Sequence, residues 1–80
     1  MTIGDAVKDR IIELCKDRGI TVNKLATISG VTQSTINNIT SGRNNSTTIS
    51  TIKKLCDGLN ITVVDFFNCD IFISLDQEIK

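Results

Sequence analysis

The sequence predicts an all-α fold of five short helices, with a helix-turn-helix formed by the second and third. Three observations carry this. Between residues 21 and 42, Leu25, Ala26, Gly30, Val31, Ile36 and Ile39 are spaced as two short helices crossing through a tight turn require. Apolar residues recur at three- and four-residue intervals on both sides of that segment. The chain is 40% hydrophobic but has no proline and only three aromatic residues, all Phe. Its core is therefore aliphatic, as suits a small helical bundle.

The first helix is expected from about Gly4 to Arg18, where Val7, Ile11 and Leu14 repeat at helical spacing. Asp5, Asp9, Glu13 and Asp17 lie four apart on the other face as a solvated acidic stripe, relieved by Arg10–Glu13 and Glu13–Lys16 neighbours. Gly19 ends this helix. The second runs from about Val22 to Ser29 behind a Thr21 cap, and Gly30 supplies the left-handed residue that stops it. The third runs from about Gln33 to Thr40, capped by Thr32 and closed by Ser41 and Gly42. After a polar loop, Ile49, Ile52, Leu55, Cys56 and Leu59 mark one face of a fourth helix, from about Ile49 to Leu59. Thr62 caps a short fifth helix carrying Val63, Val64, Phe66 and Phe67, the Phe pair serving as core plug. In the tail, Ile71, Ile73 and Leu75 alternate as in extended chain, while Leu75 to Ile79 also suit one helical turn.

Eighty residues make one domain, which buries only about 60% of its unfolded surface. No apolar run approaches the roughly 20 residues that span a bilayer. The start, MTIGDAVKDR, lacks the apolar core of a signal peptide, so a cytoplasmic protein without a membrane partner is expected. Cys15, Cys56 and Cys69 form no close pair, and there is no histidine. A metal site is not expected. Cys15 and Cys56 read as small buried hydrophobes. No enzyme is indicated: there is no histidine and no glycine-rich phosphate loop, and Cys69 has no plausible base. No cofactor is expected.

The net charge of zero conceals an uneven distribution. Residues 22 to 54 carry Lys24, Arg43, Lys53 and Lys54 and no acid. Residues 55 to 80 carry Lys80 against Asp57, Asp65, Asp70, Asp76 and Glu78. A surface that meets phosphates avoids carboxylates in this way, although chance in a Ser/Thr/Asn-rich segment gives the same pattern. On the third helix Thr32, Ile36 and Ile39 point one way. Gln33, Ser34, Asn37, Asn38 and Ser41 point the other, an uncharged face rich in amides. Gln and Asn bond an adenine edge bidentately in the major groove, each good pair discriminating by about 1–3 kcal/mol. An ordinary solvated face has the same composition. Thr35 sits at its edge, with a methyl free either to pack inward or to touch a thymine.

These pieces, in this order, resemble the Cro/CI-type helix-turn-helix (XRE) family of phage repressors and small bacterial regulators. The likeness covers residues 7 to 67. It rests on Arg10, Ile11 and Leu14; Gly19-Ile20-Thr21; Leu25-Ala26; the run from Gly30 to Ile36; Ser41-Gly42-Arg43; Thr48-Ile49, Thr51-Ile52 and Leu55; and Leu59 to Thr62 with Phe66-Phe67. It implies a five-helix, lambda-repressor-like DNA-binding domain over residues 1–68, followed by a tail over 69–80. The sequence departs from the family in its neutral charge and in Asn37-Asn38, where charged residues are often found.

The resemblance further implies a transcriptional regulator, expected to be a repressor, that binds double-stranded DNA at palindromic operators as a homodimer. Gln33, Ser34 and Asn38 are the first candidates for base reading, and Asn37 the second. Phosphate contacts are expected from Thr21 and Asn23 with the amides that follow them, and from Arg43, Asn44, Asn45 and Thr48. Arg43 equally suits a helix C-terminus as a charge opposing the dipole. Helix 5 and the tail, with Phe66, Ile71, Phe72, Ile73 and Leu75, hold the apolar surface least needed by the bundle. The alternative is an antitoxin or other protein-interaction module on the same fold, with a protein partner and weak DNA binding, which the neutral charge and acidic tail favour.

Overall fold

In the computed structural model, which describes residues 1–42 and 46–79, every α-helix starts behind a threonine. The helices are α1 (Ile3–Arg18), α2 (Val22–Ser29), α3 (Gln33–Thr40), α4 (Ile49–Leu59) and α5 (Val63–Phe67). Thr2, Thr21, Thr32, Thr48 and Thr62 have extended backbones, and each side chain accepts from the amide three residues on. One such cap contributes about 1 kcal/mol. In α1 and α5 the cap is reciprocal: the Asp5 and Asp65 carboxylates accept from the Thr2 and Thr62 amides. Asp5 thus leaves the expected solvated stripe and becomes a half-buried capping group.

Three helix ends share one geometry. Gly19, Gly30 and Asn60 are left-handed, at φ 64°, 68° and 57°. Their amides donate to the carbonyls of Lys16, Thr27 and Asp57, while Ile20, Val31 and Ile61 donate to Cys15, Ala26 and Cys56. This double closure is the Schellman motif. Ile20, Val31 and Ile61 pack on the core, and the next residue is in each case the threonine that caps the following helix. Cys15, Ala26 and Cys56 occupy equivalent, buried positions, where a small side chain leaves room for the returning hydrophobe. The expectation that both cysteines are structural holds, and burial raises both thiol pKa values.

The core joins Val7, Ile11 and Leu14 of α1 to Leu25 and Ala26 of α2, Ile36 and Ile39 of α3, Ile52, Leu55, Cys56 and Leu59 of α4, and Phe66 of α5. α2 packs most extensively on α4, and the contact is close because Gly58 lies against Ser29. A Cβ at residue 58 would lie 2.0 Å from Ser29 Oγ and 3.2 Å from its Cα. Arg10 joins α1 to the end of α5. Its Nε donates to Phe66 O at 2.7 Å and a terminal nitrogen to Asp65 O at 2.9 Å, while it also pairs with Glu13. Only the Glu13 contact was foreseeable from spacing.

Several expectations need correction. Ile49 was assigned to the core face of α4 but is 82% exposed, because at the first position of the helix it precedes the contact with α2. Only Phe66 plugs the core; Phe67 is 39% exposed and stacks edge-on between Phe66 and Phe72. The tail is neither a strand nor a helix at Leu75–Ile79. Asp70–Phe72 forms a short 3-10 turn that brings Phe72 to the core, and Asp76 N donates to Met1 O at 2.9 Å. The apolar surface left over is only partly the one anticipated: Ile73 is exposed as expected, but Phe66 is buried and Ile71, Phe72 and Leu75 are half-buried, while Val64 and Phe67 are exposed instead. Ile49 and Phe67 border an open groove of about 290 Å³ lined by Ile3, Val7, Ile52 and Thr47.

Four substitutions at three positions test this account by thermal or denaturant unfolding. Gly58→Ala is expected to destabilise by about 1–3 kcal/mol through overpacking, although Ala is normally favoured over Gly within a helix. Ser29→Ala should be neutral or stabilising, because Ser29 Oγ is buried without a partner among the described residues. At Gly30 a Cβ meets nothing within 4 Å, so Gly30→Ala should lose only the left-handed conformational cost of about 1–2 kcal/mol. Gly30→Asn should recover part of that loss, as Asn60 illustrates in the equivalent turn.

Candidate nucleic-acid interface

The two faces of α3 divide cleanly. Ile36 and Ile39 are fully buried, and Gln33, Ser34, Asn37 and Asn38 are exposed. Thr35 lies between them, half-buried. Its hydroxyl accepts from Thr32 Oγ1 at 2.9 Å, and its amide donates to the same oxygen at 3.2 Å. Thr32 itself is exposed rather than directed into the core, because its oxygen is used as the cap. Ser41 Oγ turns back to Asn38 O at 3.3 Å. Among the described residues, no hydrogen bond engages the side chains of Ser34, Asn37 or Asn38, so their donors and acceptors face solvent.

Gln33 differs. Its Nε2 donates to Asn23 O at 3.2 Å. That carbonyl belongs to the first turn of α2, and the bond places the start of α2 beside the start of α3. Thr27 Oγ1 donates to the same oxygen at 3.1 Å. Sequence pattern did not reveal this junction. Its only trace is a donor-bearing side chain at the head of α3.

Thr21, Asn23 and Thr48 are exposed at the starts of α2 and α4. Thr21 Oγ1 accepts from Lys24 N at 3.0 Å and Thr48 Oγ1 from Thr51 N at 3.2 Å, so both hydroxyls are engaged as caps. Arg43, Asn44 and Asn45 lie outside the described residues. The first turns of α2, α3 and α4 contain no acid, whereas α1 and α5 carry Asp5 and Asp65 there. The positive ends of α1 and α5 are thus neutralised internally, and those of the three middle helices are not. Among the described residues, Lys24 and Lys54 have no ion-pair partner. Lys53 pairs with Asp57 across one turn of α4, and that contact raises its pKa. Its charge is partly cancelled.

Among the described residues no cluster of metal-ligating side chains occurs, and no helix is long and apolar enough to cross a membrane.

Comparison with known proteins places this geometry. No curated protein matches the sequence significantly. Among solved structures, the prophage Lp1 protein 11 superposes with a TM-score of 0.83 at 37% identity, over 94% of this chain and 99% of that one. The family model of the Cro/C1-type helix-turn-helix DNA-binding domain matches residues 10–70, a span containing the described parts of all three middle helices and α5. The chain belongs to the Cro/C1-type helix-turn-helix family.

Proposed function

We propose that this protein is a sequence-specific double-stranded DNA-binding transcriptional regulator, acting as a repressor, that reads the major groove with α3 as a homodimer. The observation that carries the reading is the exposed face of α3. Gln33, Ser34, Asn37 and Asn38 project from a helix whose other face is locked in the core. They supply hydrogen-bond donors and acceptors for base edges without charge. The acid-free first turns of α2, α3 and α4 support the same reading, since phosphates are attracted there and no carboxylate opposes them. Thr21, Asn23 and Thr48, with Arg43, Asn44 and Asn45, are the proposed phosphate contacts. The prophage origin of the similar structure accords with a phage-type switch, and occupying a promoter is sufficient for repression. The cytoplasm is the compartment this role requires.

Few cations serve this surface, so one copy binds weakly and two bound to a palindrome bind well. Val64, Phe67 and Ile49 are exposed apolar residues that the bundle leaves for such pairing. The same exposure, with zero net charge, also supports a protein-interaction module such as an antitoxin. A stoichiometric partner co-purified from the native host would favour that second reading.

Binding-site selection in vitro should return a palindrome with half-sites about 34 Å apart, and Gln33→Ala should relax it at one position per half-site. A selection that returns no motif sinks base reading from α3. Titrations between two salt concentrations should show a shallow dependence. With about two to four phosphates neutralised per subunit, log K falls by about 0.9 per phosphate for each decade of salt. A steeper slope would transfer recognition to a basic surface this reading does not use.

A further inference from the structure

We infer that the main-chain carbonyl of Asn23 positions Gln33 for base reading, so that the α3 carboxamide is fixed before DNA arrives and presents one hydrogen-bond polarity. The inference rests on α3 being the base-reading helix and says how that helix discriminates.

Gln33 Nε2 donates to Asn23 O at 3.2 Å. A carbonyl only accepts, so the nitrogen end of the Gln33 amide must face it. Turning the amide over would set Oε1 against Asn23 O, two acceptors in contact. Chemistry thus assigns the orientation. Nε2 carries two hydrogens, and Asn23 takes one. The other hydrogen and both lone pairs of Oε1 remain for a ligand. With the hydrogen trans to Oε1 on Asn23, the exposed edge is one donor beside one acceptor, in a set order. In the major groove adenine offers N7 as acceptor beside N6–H as donor, which complements that edge. Guanine offers two acceptors, N7 and O6, and leaves Oε1 opposed.

Asn23 lies in the first turn of α2, capped by Thr21. Thr27 Oγ1 donates to the same carbonyl at 3.1 Å. The turn proposed to meet phosphate and the amide proposed to meet a base are therefore parts of one hydrogen-bonded unit. The offset between them is set within the protein, and less side-chain freedom is lost on binding.

Two measurements test this. Gln77 is the other glutamine in the chain; it is exposed, with no side-chain hydrogen bond among the described residues. In nitrogen-15 relaxation of the free protein, the Gln33 side-chain amide should be more ordered than that of Gln77, with its two hydrogens well separated in shift. Equal mobility of the two amides overturns the inference. Site selection with wild type should return adenine at one position per half-site, preferred by about tenfold or more. Gln33→Glu distinguishes a held side chain from a free one. A freely rotating carboxylate accepts from cytosine N4 and switches the preference to cytosine. A site built on Asn23 O repels the carboxylate, so the adenine preference disappears without a cytosine preference replacing it. A clean switch to cytosine overturns the inference while leaving base reading by α3 intact. No motif from wild type overturns both.

Discussion

The rest of the structure depends on a three-residue joint that closes one helix and opens the next. Gly19-Ile20-Thr21, Gly30-Val31-Thr32 and Asn60-Ile61-Thr62 each stop a helix with a left-handed residue, seat a hydrophobe on the core and start the next helix with a threonine cap. α2 and α3 have eight residues each and α5 has five, lengths at which isolated helices do not persist in water. They persist here because their free carbonyls and amides are satisfied at the joints and their apolar faces are buried. The joint at Gly30 also sets how α3 leaves α2. The amide-rich face of α3 is thus presented by rigid backbone.

Zero net charge is compatible with a phosphate-facing surface because of where the acids are placed. Asp5 and Asp65 close capping boxes, Glu13 pairs with Arg10, and Asp57 pairs with Lys53. These four acids have local structural tasks on α1, α4 and α5. No acid occurs on α2, on α3 or in the first turn of α4. Separating the charges in this way leaves three helix starts electropositive without an excess of basic residues. In the proposed DNA-binding role, recognition on such a surface would depend on hydrogen-bond geometry more than on attraction, and the orientation of Gln33 would then be consequential.

Arg10 shows how one side chain gives a marginal element its place. α5 ends at Phe67, where a helix leaves its last carbonyls short of partners; that of Asp65 also accepts from Asn68 N at 3.3 Å. The guanidinium takes those of Asp65 and Phe66 at once and is only 13% exposed. Phe66 is thereby held in the core, and Phe67 and Phe72 cover it in turn.

The sequence by itself determined the helix-turn-helix, the bounds of its helices, the two buried cysteines and the polar face of α3. These features are written within one or two turns of chain: a glycine that tolerates positive φ, a threonine that accepts an amide three residues on, an apolar period of 3.6. Only the tertiary structure decided what depends on distant residues meeting. Gly58 reads as a flaw inside α4 until Ser29 arrives against it. Arg10 reads as a partner for Glu13 until the α5 carbonyls reach it. Ile49 fits the apolar period of its helix yet faces solvent, since periodicity gives a direction and not the extent of the neighbour on that side. Gln33 appears on a solvated face in any helical projection. Its bond to Asn23 exists because the joint between α2 and α3 folds their first turns together, and no local rule of spacing contains that distance.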